Sequence, residues 1–84
     1  MTKKQTEGES FVGHYFHEID VDDKIKTQGV VIANPEPGWY LVQLFEWLHG
    51  NPTSRHLVRI EDMRSWCFYE DSEAMKSAYR AIAA

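Results

Sequence analysis

The segment Gly38 to Gly50, GWYLVQLFEWLHG, is apolar on both faces at once. Read as a strand, in which successive side chains alternate sides, it places Trp39, Leu41, Phe45 and Trp47 on one face with only Gln43 between them. The other face carries Tyr40, Val42, Leu44 and Leu48, with only Glu46 as a polar break. Such a strand has to be covered twice. In a chain of 84 residues the second cover is either the chain's own helix or another molecule, so the segment points to a binding or oligomer surface.

The length allows one domain, near the size at which a single core suffices, burying roughly 60 to 65% of the surface of the unfolded chain. The 43% hydrophobic and 26% charged composition is that of a folded domain, and the 13% aromatic content means that rings fill much of its core. Nine basic residues against 13 acidic ones give a formal charge of −4, without any cluster of four Lys and Arg, which disfavours a nucleic-acid partner. Cys67 is the single cysteine, so there is no internal disulfide and no cysteine-only metal cage. The first residues lack the apolar core of a signal peptide, and no apolar run approaches the ~20 residues that span a bilayer. A soluble chain in a reducing, cytoplasmic setting, with no membrane partner, is expected.

Residues 1–9, MTKKQTEGE, read as a flexible leader, and the domain as residues 10–84. A first strand is expected over Phe11 to Ile19, ending in an acidic turn at Asp20-Val21-Asp22-Asp23, and a second over Lys26 to Ala33. Two prolines and a glycine within Asn34-Pro35-Glu36-Pro37-Gly38 should break the chain there. The segment 39–48 fits a strand, although Leu41, Leu44, Phe45 and Leu48 also fit a helical repeat with Gly50 as its stop. A strand-like run before it and a Gly-Asn-Pro turn after it, followed by Arg55 to Ile60, favour a hairpin. Ile60 to Met63 reads as a single helical turn and Trp66 to Tyr69 as a last strand. From Asp71 a C-terminal helix, residues 71–84, is expected. Asp71 or Ser72 caps it, Glu73 sits at its positive end, and Met75, Ala78, Tyr79 and Ile82 form its apolar stripe.

This order predicts a mostly β fold, an SH3-like five-stranded small barrel with an added C-terminal α-helix. It also resembles the plasmid-borne type II dihydrofolate reductases. The likeness is carried by Gln28-Gly29-Val30-Val31-Ile32, the Pro-containing loop, Gly38-Trp39-Tyr40-Leu41-Val42, and Leu57-Val58-Arg59-Ile60 leading into a helical turn. It implies the barrel and assembly through it. Those enzymes line a shared pore with a Val-Gln-Ile-Tyr strand, and Leu57-Val58-Arg59-Ile60 has neither the Gln nor the Tyr, so no functional residue carries over.

The residues supply no convergent catalytic set. On a strand His14 and His17 point to opposite faces and should stay in solvent, which disfavours a metal site. The spacing at Asp20, Asp22 and Asp23 lacks the glycine and distal glutamate of a calcium loop. Cys67, within Trp66-Cys67-Phe68, reads as a packed, unreactive thiol. Glu46, Glu61 and Asp62 read as solvated charges. The aromatic excess remains. Trp39, Phe45, Trp47, Trp66 and Tyr69 are the candidate contact surface, and Gln43 marks the face of Trp39, Phe45 and Trp47 as an interface rather than a dry core. The expected function is a small non-enzymatic interaction module without a cofactor, pairing with a partner protein or with itself as a homodimer. The alternative, resting on the resemblance, is an oligomeric reductase using NADPH and a pterin.

Overall fold

The computed structural model describes residues 11–83, with side chains as far as Arg80; the leader, Ser10 and the side chain of Ile82 lie outside the described part. Five strands, β1 (Tyr15–Ile19), β2 (Ile25–Glu36), β3 (Trp39–Phe45), β4 (Pro52–Arg59) and β5 (Cys67–Tyr69), are joined by a helical turn α1 (Ile60–Met63) and followed by helix α2 (Ser72–Ala83). The strands form one antiparallel sheet in the order β4-β3-β2-β1-β5. The mostly β fold with a C-terminal helix is as expected. No hydrogen-bonded ladder joins β4 to β5 among the described residues, so the sheet is not closed into a barrel by its backbone. Val58 of β4 and Phe68 of β5 nevertheless pack against one cluster, so both edges serve the same core.

Local chemistry explains most of the turns. Between β1 and β2 the Asp20 carboxylate accepts the backbone N–H groups of Asp22 at 2.8 Å and Lys24 at 3.0 Å, an Asx-type turn in which Asp23 takes a φ of 62°. These two donors, Lys24's first, also hold the Asp20 carboxyl below its usual range. Pro37 and Gly38 alone make the next turn, with Glu36 paired to Trp39 across it and Gly38 at a φ of 83°.

Pro35 does not end β2, contrary to expectation: the strand runs through it to Glu36. Proline has no N–H for the ladder, and the register slips between Ala33 and Glu36; the Asn34 side chain fills the gap by donating to the carbonyls of Glu36 and Trp39, each at 2.7 Å. The first strand is also shorter than expected. Residues 11–14 form a turn in which His14 N–H donates to Phe11 C=O at 3.0 Å and Gly13 N–H to Val31 C=O at 2.8 Å.

The inner face of the sheet holds the core. Phe16, Val31, Tyr40, Val42 and Met63 are buried, with Phe11, Leu44, Val58, Ile60, Trp66 and Phe68 against them. Tyr40, Val42 and Leu44 thus take the core side expected of them. Phe16 lies opposite Gly29, and its ring stacks on Trp66 with centroids 4.5 Å apart. The missing side chain at Gly29 is a packing requirement: a Cβ there would overlap the Gln43 carbonyl oxygen and stand 2.8 Å from Phe16 Cζ. Gly29→Ala should therefore lower stability by about 1–3 kcal/mol, read as a reduced midpoint in a thermal melt. An unchanged midpoint would mean that β2 and β3 separate at no cost.

Candidate functional site: the groove under the C-terminal helix

Helix α2 starts where the sequence places it. The Asp71 carboxylate accepts the Ala74 N–H at 2.8 Å, and the Asp71 carbonyl accepts the Met75 N–H at 3.2 Å. The helix lies against β1 and β5 on the outer face of the sheet, with Met75 buried. It leaves the end of β3 uncovered, and between the two runs a groove of about 520 Å³. One wall is the helix stripe Ser72, Met75, Lys76, Tyr79 and Arg80, spaced three and four residues apart. The other is Phe45 and the turn Trp47 to Gly50, with Tyr15 and Gln28 contributing from β1 and β2. Tyr15 and Phe45 stack at 6.2 Å.

The strand expected over 39–48 ends at Phe45, and Trp47, Leu48 and His49 form a turn instead. The Glu46 carboxylate organises it, accepting the backbone N–H groups of Leu48 and His49 at 3.2 Å each and of Asn51 at 3.4 Å. Glu46, expected as a solvated charge, is thus also a turn ligand. Gly50, at a φ of 75°, completes the reversal. Trp47 is thereby lifted off the strand axis and stacks on Tyr79 at 5.3 Å, latching the turn to the helix while 45% of its surface stays exposed.

Beneath this latch sits His17. It is 0% exposed, contrary to the solvent-facing position expected, because α2 and Trp47 cover the outer side of β1. Its Nδ1 and the Tyr69 hydroxyl share a hydrogen bond of 2.9 Å, and its Nε2 is buried without a hydrogen-bond partner. Burial lowers the His17 pKa below the ordinary histidine value, since the charged ring would lack water. Burial also raises that of Tyr69, helped by its interaction with the Cys67 side chain. His14 precedes β1 and has a buried, unpartnered Nδ1 of its own. Among the described residues no three His, Cys, Asp or Glu side chains gather closely enough to hold a metal ion.

The five expected contact residues are dispersed. Phe45 and Trp47 line the groove, and Tyr69 lies behind it against His17. Trp39 is at the far end of β3, paired with Arg59 and 37% exposed. Trp66 is on the opposite face, stacked on Phe16 at the edge of a smaller cleft with Glu18, His56 and Asp62. Gln43 is buried and satisfied: it accepts from Arg55 Nε at 2.7 Å and donates to the carbonyls of Leu44 and Ser54 at 3.0 and 3.2 Å. Its amide therefore does not mark a wet interface. Cys67 is exposed, not packed, because its three-residue strand forms an edge of the sheet.

The sequence reading overlooked the cations of the helix stripe. Lys76 and Arg80, each one residue after an apolar stripe position, could have been placed beside the groove from the helical repeat alone. No protein-family model matches this chain, and neither a curated protein nor a solved structure matches it, so no activity comes to it from a relative.

Two measurements check this geometry. A thiol reagent should label Cys67 in the folded protein at a rate close to that of the unfolded chain; strong protection would show the thiol to be covered. His17 binds protons less readily folded than unfolded, where its pKa is about 6.5, so stability should be full above that pH and fall as the pH drops below it. The difference in melting midpoint between pH 7.5 and pH 5.5 should shrink in His17→Gln. An equal pH slope in that variant would exclude His17 as its source.

Proposed function

We propose that this chain is a small non-catalytic interaction module whose working surface is the groove between α2 and the β3–β4 turn, where it takes a segment of a partner protein or a second copy of itself. One observation carries the reading. The doubly apolar sheet is covered by its own helix mainly over β1 and β5, leaving Phe45, Trp47 and Tyr79 around an open groove, with Trp47 and Tyr79 45% and 40% exposed. Large aromatics in a concave site of a few hundred Å³ are the usual anchors of recognition. The non-catalytic part is supported by the polar groups. His17 is sealed beneath the latch, and the Ser54 Oγ to His56 Nε2 contact of 2.9 Å lies on exposed β4, with no third group hydrogen-bonded to the ring among the described residues.

The test pairs two substitutions on opposite faces with a titration. Millimolar N-acetyl-tryptophanamide or N-acetyl-leucinamide should shift amide resonances of residues 45–50 and 72–80, and sedimentation equilibrium reports any self-association. Phe45→Asp should abolish these responses while circular dichroism shows a retained fold, whereas Leu44→Asp, directed at the core, should unfold the chain. Shifts confined to the inner-face cleft around Trp66, or none in a folded protein that stays monomeric, would overturn the assignment.

A further inference from the structure

We infer that the occupant of this groove is an acidic, extended peptide segment of a partner protein, with carboxylates at alternate positions followed by an aromatic or aliphatic anchor. The inference rests on reading the groove as the binding surface and adds the chemistry of what fills it. The chain as a whole carries a formal charge of −4, yet the groove is lined by Lys76, Arg80 and His49 and by no carboxylate. Of the neighbouring acids, Glu46 is spent on three backbone N–H groups and Asp71 caps the helix, while Glu73 forms a long, solvent-exposed pair with Lys76 at 3.9 Å, a contact of the kind that contributes little and that an incoming carboxylate can replace. Arg80 has no ion-pair partner among the described residues.

The spacing selects the backbone form of the ligand. Lys76 and Arg80 are four residues apart on one helix face, about 6 Å along the axis, and alternate side chains of an extended chain repeat every ~6.6 Å on one side. Two carboxylates at such positions meet both cations, and the side chain next to them in sequence, on the other side of the extended chain, faces the wall of Phe45 and Trp47. A nucleic-acid strand offers anions too, but two cations and a histidine on an acidic chain are too few to hold a run of phosphates.

The probes are rhodamine-labelled peptides of the form Ser-Glu-Ser-Glu-Trp-Ser-Ser, the same peptide with Lys or with Ser in place of Glu, and a ten-residue oligothymidylate, followed by fluorescence anisotropy with the full chain. The acidic peptide should bind saturably, at least tenfold more tightly than the neutral one, and lose at least tenfold at 0.5 M salt. Lys76→Gln with Arg80→Gln, both at exposed helix positions, should remove that advantage without altering the circular dichroism spectrum. Equal binding of the neutral or basic peptide, or an acidic advantage that survives the double substitution, overturns the inference and leaves the groove as a binding surface. Tighter binding of the oligonucleotide overturns the peptide in favour of a nucleic acid. No binding by any probe, with the groove amides unmoved, overturns both.

Discussion

Two consecutive residues of β1, Phe16 and His17, are both without exposure to solvent, and their side chains necessarily point to opposite faces of the sheet. A strand buried on both sides needs two separate covers. On the inner side the cover is the core cluster, closed over Phe16 by Trp66 and made possible by the bare backbone of Gly29 opposite. On the outer side it is α2 together with Trp47, which reaches over from the β3–β4 turn to stack on Tyr79. The edge strand β5 serves both covers, with Phe68 turned inward and Tyr69 outward.

The outer cover is the weaker of the two. It is a single helix and a latch of two half-exposed rings, and the group beneath is a histidine with one nitrogen unpartnered, an arrangement that leaves the desolvation of that nitrogen uncompensated. A small domain of this length has stability of only a few kcal/mol to spare. The outer face therefore combines the least protected packing with the most accessible aromatic surface, and the same Trp47 and Tyr79 rings that shield His17 form part of the groove wall. The proposed binding at the groove is for that reason physically linked to the integrity of the outer cover.

Segments whose conformation is set by neighbours in the chain were legible in the sequence. Asp71 caps α2, Asp20 folds the β1–β2 turn, Pro37-Gly38 reverses the chain, and the one-turn helix sits at Ile60–Met63 as read. The alternation of Tyr40, Val42 and Leu44 toward the core followed from the period of the strand, and it resolved the helical alternative for the same residues. Pro35 misled because the Asn34 side chain supplies hydrogen bonds that no propensity rule anticipates. Trp47 misled because the Glu46 carboxylate, by capping three N–H groups, ends the strand two residues before it.

What the sequence determined by itself is the inventory: a mostly β domain, its turns, a capped C-terminal helix, and more aromatic surface than one core of this size requires. What only the tertiary structure decided is which side chains meet. His17 became buried and Cys67 exposed, the reverse of their reading, because burial depends on whether an element distant in sequence lands over a residue: α2 lies over β1, while β5 is an edge of the sheet. The groove has the same origin. Its two walls are more than twenty residues apart in the chain, and the juxtaposition of Lys76 and Arg80 with Phe45 and Trp47 exists only once the helix docks across the sheet.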